Sequence, residues 1–197
     1  MFTEQQFSIP KLQGISEKTI EEHKKLYAGY VKNANLVMNL INESKLEGDG
    51  GAYTKGELYR RFAFEYNGMR NHEYYFKLLE ANTDPNMDSA LVKAIEMHWG
   101  SIENWKTTFT ELAATRGIGW AMFSWDPSSK TLLMHWVDEQ HLGQLQGTTP
   151  IIALDMWEHS YVHDYFPSGK KQYINDFMIQ MNWKVAEEKY EAAVHTQ

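Results

Sequence analysis

Cysteine is absent from all 197 residues of the sequence. This absence excludes disulfide bonds, thiolate metal sites and cysteine nucleophiles. Long apolar runs are also missing, and no segment is long enough to span a bilayer as a helix. Residues 1–14 have neither a basic start nor an apolar stretch, so they do not read as a signal peptide. We therefore expect a cytoplasmic protein with no membrane partner.

Positive charge is scarce as well. The formal net charge is −7 and the isoelectric point is about 5.6, which argues against nucleic acid or an anionic membrane as partner. Hydrophobic residues, by contrast, make up 43% of the chain and aromatic residues 14%. Such a composition is sufficient for a well-packed core and is not typical of disorder.

The N-terminal half has the apolar periodicity of two long helices. Apolar residues recur at threes and fours from the N-capping Ser16 to about Ser44, and again from about Lys55 to Ala81. We expect the glycine-rich stretch 48–51 to separate the two helices, which then pack antiparallel. The second helix should end before the turn at 83–86.

The C-terminal half alternates short helical and strand-like segments. Aromatic and β-branched runs on either side of the turn at 126–129 predict a hairpin, and an apolar run before Asp155 predicts a third strand. The expected helices are 88–99, 102–115 with Ser101 as N-cap, and 173–189; the expected strands are 117–125, 131–137 and 151–154. The predicted class is α+β: an N-terminal antiparallel two-helix hairpin, residues 1–86, followed by a C-terminal lobe, residues 87–197, with a small three-stranded antiparallel sheet and helices.

The segment around Asp155 combines two groups that can bind a metal. Asp155 leaves the third strand, and His159 follows four residues later in what reads as the start of a helix. A carboxylate and an imidazole at this spacing can both bind one divalent or trivalent ion. The alternative is an N-capping aspartate followed by a surface histidine.

Two further histidines lie on the predicted long helices. His23 shares one helix face with Tyr27 and Tyr30, and His72 is embedded among aromatic residues. A buried imidazole needs a hydrogen-bond partner or a metal. Taken alone, the position of His23 is more typical of a satisfied core residue than of a metal ligand.

The segment from Asp155 to Tyr161 resembles the Asp-x-Trp-Glu-His-x-Tyr signature of the iron/manganese superoxide dismutases. The resemblance extends to the lead-in Phe7, Pro10 and Leu12, and to the Asn-His pair that ends at His72. It implies one manganese or iron ion bound by His23, His72, Asp155 and His159. It also implies superoxide as substrate, converted to dioxygen and hydrogen peroxide by alternate reduction and oxidation of the metal.

The family also places a neutral donor beside the metal-bound solvent, either four residues before the second ligand histidine or in the turn after the hairpin. The first position is Gly68 here, so the resemblance implies Gln140, with the neighbouring His141 as the competitor. Gly68 together with Gln140 favours manganese over iron. The catalytic pair implied by the resemblance is thus Gln140 and Tyr30.

The sequence departs from the family near the mouth of the cavity. Tyr30 follows His23 by seven residues rather than eight, the usual intervening histidine is replaced by Tyr27, and Val162 stands where a second aromatic is usual. Tyr27 is therefore an alternative to Tyr30 at the cavity. Glu158 is retained and, by resemblance, bonds the partner subunit's ligand histidine at the position of His159, which implies a homodimer.

Two rival functions fit parts of this pattern. A mononuclear non-haem iron oxygenase also uses histidine and carboxylate ligands, but it would need an arginine clamp and a β-rich fold. A catalytically inactive metal-binding or interaction protein on the same scaffold is the second rival, and the altered residues at 27 and 162 motivate it. Retention of all four ligand types favours the superoxide dismutase.

Overall fold

A computed structural model describes residues 1–43 and 47–195. Two long helices form the N-terminal half, α1 (Glu17–Glu43) and α2 (Gly48–Leu78). Contacts along the pair run in opposite directions, because Tyr30 packs on Phe64 and His23 packs on Phe76. The two helices are therefore antiparallel, as the sequence predicts. The expected end of α1 at Ser44 lies outside the described residues.

The prediction that the glycines at 48–51 break the chain is wrong, because α2 already begins at Gly48. The first turn of a helix tolerates glycine, since few intrahelical hydrogen bonds depend on it, and Asp49 complements the positive end of the helix dipole. The Thr54 hydroxyl also bonds the Gly50 carbonyl oxygen at 2.9 Å. The glycine-rich segment 48–51 is thus the first turn of a helix rather than a loop.

The C-terminal half contains a three-stranded antiparallel sheet with helices packed around it. The strand at 119–126 is central and pairs with the strands at 131–138 and 149–155 on either side. The elements are the helices α3 (Ala90–Trp99) and α4 (Ile102–Ala113), the strands β1 (Gly119–Asp126), β2 (Thr131–Asp138) and β3 (Thr149–Asp155), a 3-10 turn (Glu158–Ser160), the short helix α5 (Val162–Tyr165), a second 3-10 turn (Pro167–Gly169), and the helices α6 (Lys170–Gln180) and α7 (Trp183–His195). The α+β prediction is confirmed.

The predicted single closing helix at 173–189 is wrong, because α6 and α7 are separate. Met181 is extended, and the Asn182 backbone N–H donates to the Leu78 carbonyl oxygen at 2.7 Å instead of continuing the helix. The Asn182 side chain then accepts from the Val185 N–H, which caps α7. A tertiary contact with α2 therefore ends α6.

Helix α2 begins seven residues before the predicted start at Lys55 and ends three residues before the predicted end at Ala81. The other predicted elements differ from the structure by one or two residues at their ends. Ser101 caps α4 by accepting from the Asn104 N–H, as the sequence predicts. No helix within the described ranges is long and apolar enough to cross a membrane. The division of the chain at residue 86 remains a prediction.

Burial is greatest along β1, which lies at the centre of the sheet. Trp120, near its start, pairs with Val137 on one side and with Asp155 on the other. Helix α2 packs against β3, so the end of β3 faces the helix pair. This arrangement brings the last residue of β3 next to the first third of α1, at His23, and the last third of α2, at His72.

Candidate metal centre

Asp155, the last residue of β3, is fully buried, and its side chain faces three imidazoles. Its Oδ2 lies 3.0 Å from His23 Nε2, 3.2 Å from His159 Nε2 and 3.6 Å from His72 Nε2. The other carboxylate oxygen, Oδ1, accepts from the Trp157 N–H at 2.8 Å. Burial raises the pKa of Asp155, but the charge of His159 and hydrogen bonds from His159 and His23 outweigh it and lower the pKa below its usual range.

His72 is buried on α2 and has one free ring nitrogen. Its Nδ1 lies 2.6 Å from the Gly68 carbonyl oxygen, one turn earlier in the helix, and must donate to it. Its Nε2 therefore carries a lone pair, and it has no hydrogen-bond partner among the described residues. Burial lowers the pKa of His72 to about 3, so the ring is neutral at ordinary pH. A neutral imidazole with a free lone pair is ready to bind a metal.

His23, on α1, lies edge-on to His72, with ring centroids 4.9 Å apart. Phe76 closes another side of the ring at the same distance. Burial lowers the pKa of His23 as well, although its contact with Asp155 opposes this effect. His159 completes the group from the 3-10 turn after β3 and is the least buried of the four residues.

A single metal ion fits this set of donors. The four candidate ligand atoms lie within 4.8 Å of one another. Donors bound to one ion at about 2.1 Å lie about 3.0 to 3.6 Å apart when they subtend about 90° to 120° at the ion, and the three distances to Asp155 Oδ2 fall in this range. Three imidazoles and one carboxylate suit manganese or iron. The unpartnered Nε2 of buried His72 points to the same conclusion, because an ion would satisfy it.

Gln140 and Tyr30 lie beside the four donors and contact each other. The Gln140 amide Nε2 donates to the Tyr30 hydroxyl oxygen at 3.0 Å. Trp120 Nε1 donates to Gln140 Oε1 at 2.9 Å, which fixes the orientation of the amide. The Tyr30 ring lies 5.0 Å from the His72 ring. Burial, and secondarily the charge of Asp155, raise the pKa of Tyr30, so its hydroxyl keeps its proton at ordinary pH.

The two alternative residues lie elsewhere. The hydroxyl of Tyr27 bonds the Gln5 N–H at 2.9 Å and Glu73 Oε1 at 3.1 Å, and its ring packs against Phe7. The ring of His141 lies edge-on to Phe64, with centroids 5.8 Å apart. Neither side chain contacts any of the four candidate ligands in the described structure.

Gly68 explains how the shortened spacing on α1 is accommodated. A Cβ atom at this position would lie 2.5 Å from Cδ1 of Tyr30, so the tyrosine ring occupies the space that any side chain would need. A one-residue change in spacing along α1 rotates a side chain by about 100°. The absent side chain at residue 68 lets Tyr30 reach Gln140 across α2.

Two residues that were not predicted from the sequence, Asn71 and Tyr173, support the site through hydrogen bonds to the backbone of Gln140 and Asp155. The Asn71 side chain donates to the Gln140 carbonyl oxygen at 3.0 Å and accepts from Gln144 Nε2 at 3.1 Å, which ties the loop between β2 and β3 to α2. The Tyr173 hydroxyl donates to the Asp155 carbonyl oxygen at 2.9 Å from α6. The position of Asn71 beside His72 was the only local signal. Tyr173 lies 18 residues from Asp155 and gave none.

Comparison with known proteins agrees with this geometry. The family model for the C-terminal domain of iron/manganese superoxide dismutases matches residues 87–189. A superoxide dismutase [Fe] of Cupriavidus metallidurans is 35% identical over 93% of this chain and 92% of its own length. This chain belongs to the iron/manganese superoxide dismutase family.

Other superoxide dismutases match over similar lengths but differ in the metal they are named for. A superoxide dismutase [Mn] of Haloarcula marismortui is 35% identical over 91% of this chain and 87% of its own length. A superoxide dismutase [Fe] of Tetrahymena pyriformis is 31% identical over 87% of this chain and 89% of its own length. The family therefore calls for one manganese or iron ion and leaves open which of the two.

Proposed function

We propose that this protein disproportionates superoxide to dioxygen and hydrogen peroxide at one manganese or iron ion bound by His23, His72, Asp155 and His159. The observation that carries the proposal is the convergence of three imidazole nitrogens on the buried Asp155 Oδ2, at 3.0 to 3.6 Å. When bound, the metal supplies the one-electron oxidation and reduction of superoxide. The protein's own residues hold the donors in place, exclude water and manage protons.

Protons are managed, on this proposal, by Gln140 and Tyr30. Because the Gln140 amide donates to the Tyr30 oxygen, the phenolic hydrogen is free to point at a molecule in the pocket. The raised pKa keeps that hydrogen on Tyr30. Reduction of superoxide to hydrogen peroxide consumes two protons, and a protonated phenol beside the pocket can donate one.

Water is excluded by a wall of buried rings. Trp120 lies edge-on to His72 with centroids 5.0 Å apart, and Tyr75 lies 5.1 Å from His23. Both rings are fully buried. Exclusion of water strengthens the electrostatic contacts of Asp155. Each imidazole is then oriented by a hydrogen bond to the protein rather than to water, as His72 is by the Gly68 carbonyl oxygen.

Manganese is the metal we propose. The neutral donor is Gln140, from the loop between β2 and β3, while Gly68 contributes no side chain, and this is the arrangement that resembles the manganese type. Elemental analysis of the purified protein and superoxide decay after reconstitution with each metal test both parts of the proposal. Higher activity with iron would overturn the preference for manganese. Bound metal without activity would instead favour the inactive scaffold.

The proposal includes a homodimer in the cytoplasm. Glu158 is exposed, and the His159 side chain keeps 23% of its surface accessible in the single subunit. Glu158 is therefore free to bond the partner subunit's ligand histidine at position 159, where each acid would orient the other subunit's imidazole. Light scattering after size exclusion tests the dimer, and a monomeric mass would exclude it. Cell fractionation tests the compartment.

A further inference from the structure

A second cavity lies on the opposite face of α2 from the metal centre. It has a volume of about 530 Å³ and is lined by the N-terminal segment, α2 and α7. The charged side chains around it are Arg70, Glu73, Lys77, Glu188 and Lys189. None of these residues has a part in the proposed dismutase site.

Lys189 differs from the other two cations that line the cavity. Arg70 is paired with Glu73 at 2.6 Å and Lys77 with Glu80 at 2.5 Å, but no carboxylate oxygen lies within 4 Å of Lys189 Nζ among the described residues. Its amine instead lies over the face of Tyr74, 3.9 Å from the ring centroid. Lys189 also lines a neighbouring cavity of about 310 Å³, whose other lining side chains are all uncharged at ordinary pH. Within the described ranges, the amine thus lies at a cavity wall with no carboxylate paired to it.

We propose that Lys189 is an acylation site and that small acyl phosphates entering this cavity are the acyl donors. The Lys189 nitrogen lone pair attacks the acyl carbon and forms an amide C–N bond. The bond between that carbon and the phosphate oxygen breaks, phosphate leaves with the electron pair, and one amine proton passes to solvent. The inference is independent of the proposed dismutase activity.

The cavity supplies both requirements of this reaction. Arg70 and Lys77 have hydrogen-bond donors beyond those used in their ion pairs, so they can attract a phosphate group without breaking the pairs. The nucleophile must be a neutral amine. Burial, together with the charge of Lys77, lowers the pKa of Lys189 to about 8, while Glu73 opposes them. The neutral fraction of Lys189 therefore rises as the pH increases towards 8, whereas an ordinary lysine becomes neutral only near its pKa of about 10.4.

The test is to acetylate the purified holoenzyme with acetyl phosphate at pH 7 and to measure the rate at each lysine by peptide mass spectrometry. Lys184 is the matched control, because it lies on the same helix, is exposed and contacts Glu188 at 3.8 Å. A pKa of about 8 instead of the ordinary lysine value of about 10.4 gives at least about 100-fold more neutral amine at pH 7, and after allowing for lower basicity and access we expect Lys189 to react at least about tenfold faster than Lys184. Equal rates at the two lysines would overturn the proposal.

Two further measurements separate the cavity from the local sequence. Removing one neighbouring cation with Lys77→Gln should slow acetylation of Lys189 by about threefold, because the Lys77 charge both attracts the phosphate group and lowers the pKa of Lys189. Protein unfolded in urea should lose the preference for Lys189. If the preference persists in the unfolded chain, the cavity is not its cause and the proposal fails.

Discussion

The four candidate ligands come from two regions that position them by different means. Asp155 and His159 are four residues apart at the end of one strand, so the backbone of a single turn sets their separation. His23 and His72 lie on two separate helices, and their rings meet only because α1 and α2 pack together. The local pair depends on short-range geometry, whereas the distant pair depends on the core.

The two pairs of ligands are therefore supported by different groups. The distant pair is supported by buried rings, such as Phe76 against His23, and by the Gly68 carbonyl oxygen that orients His72. The local pair is supported by the Trp157 N–H and by Tyr173 behind Asp155. Substitutions in either region should lower metal binding and activity. Substitutions around the distant pair should also disturb the packing of the core.

The largest effect is expected from His72→Ala, which removes a ligand of the distant pair. Loss of supporting groups around a metal typically costs 10- to 100-fold in affinity, so loss of a ligand should lower metal content and activity by at least about 100-fold. Elemental analysis and superoxide decay measure both quantities. His98→Ala is the control, because that ring is exposed and packs only on Trp99 in the described structure. Full metal content in His72→Ala would show that His72, and with it α2, provides no metal ligand.

A smaller effect is expected where the loop between β2 and β3 meets the helices. Gln140→Ala removes the donor to Tyr30 and leaves Trp120 Nε1 without its acceptor, so activity should fall by about 10- to 100-fold with the metal still bound. The neighbouring His141→Ala should leave activity nearly unchanged, because that ring faces Phe64. The reverse ranking of the two variants would assign the role to His141.

The smallest effect is expected from adding one methyl group between the helices. Gly68→Ala places a Cβ 2.5 Å from the Tyr30 ring and should destabilise the protein by about 1–3 kcal/mol, with a several-fold loss of activity as Tyr30 moves from Gln140. Gly29→Ala on α1 meets nothing within 4 Å and should stabilise the protein by about 0.5–1 kcal/mol. Denaturant unfolding measures both changes. Equal stability of the two variants would contradict the close approach at Gly68.

Sequence reasoning worked best where the signal was local. The helix cap at Ser101 and the strand before Asp155 were predicted from residues within a few positions of one another. It failed at the glycine-rich start of α2 and at Asn182, where α6 ends because the Asn182 N–H bonds the carbonyl oxygen of Leu78. Neither outcome could be read from periodicity, because a helix end depends on which distant backbone groups are available.

The chemistry available to this protein follows from its residue types and their spacing: no thiolate, a carboxylate and an imidazole one turn apart, and two more imidazoles on long helices. Which polar groups face one another depends on how the helices and the sheet pack together. Tyr30 rather than Tyr27 reaches Gln140, since Gly68 leaves room for one ring and Glu73 bonds the other. Side-chain direction on a helix is periodic and can therefore be predicted, but the surface that a side chain meets is set by long-range packing.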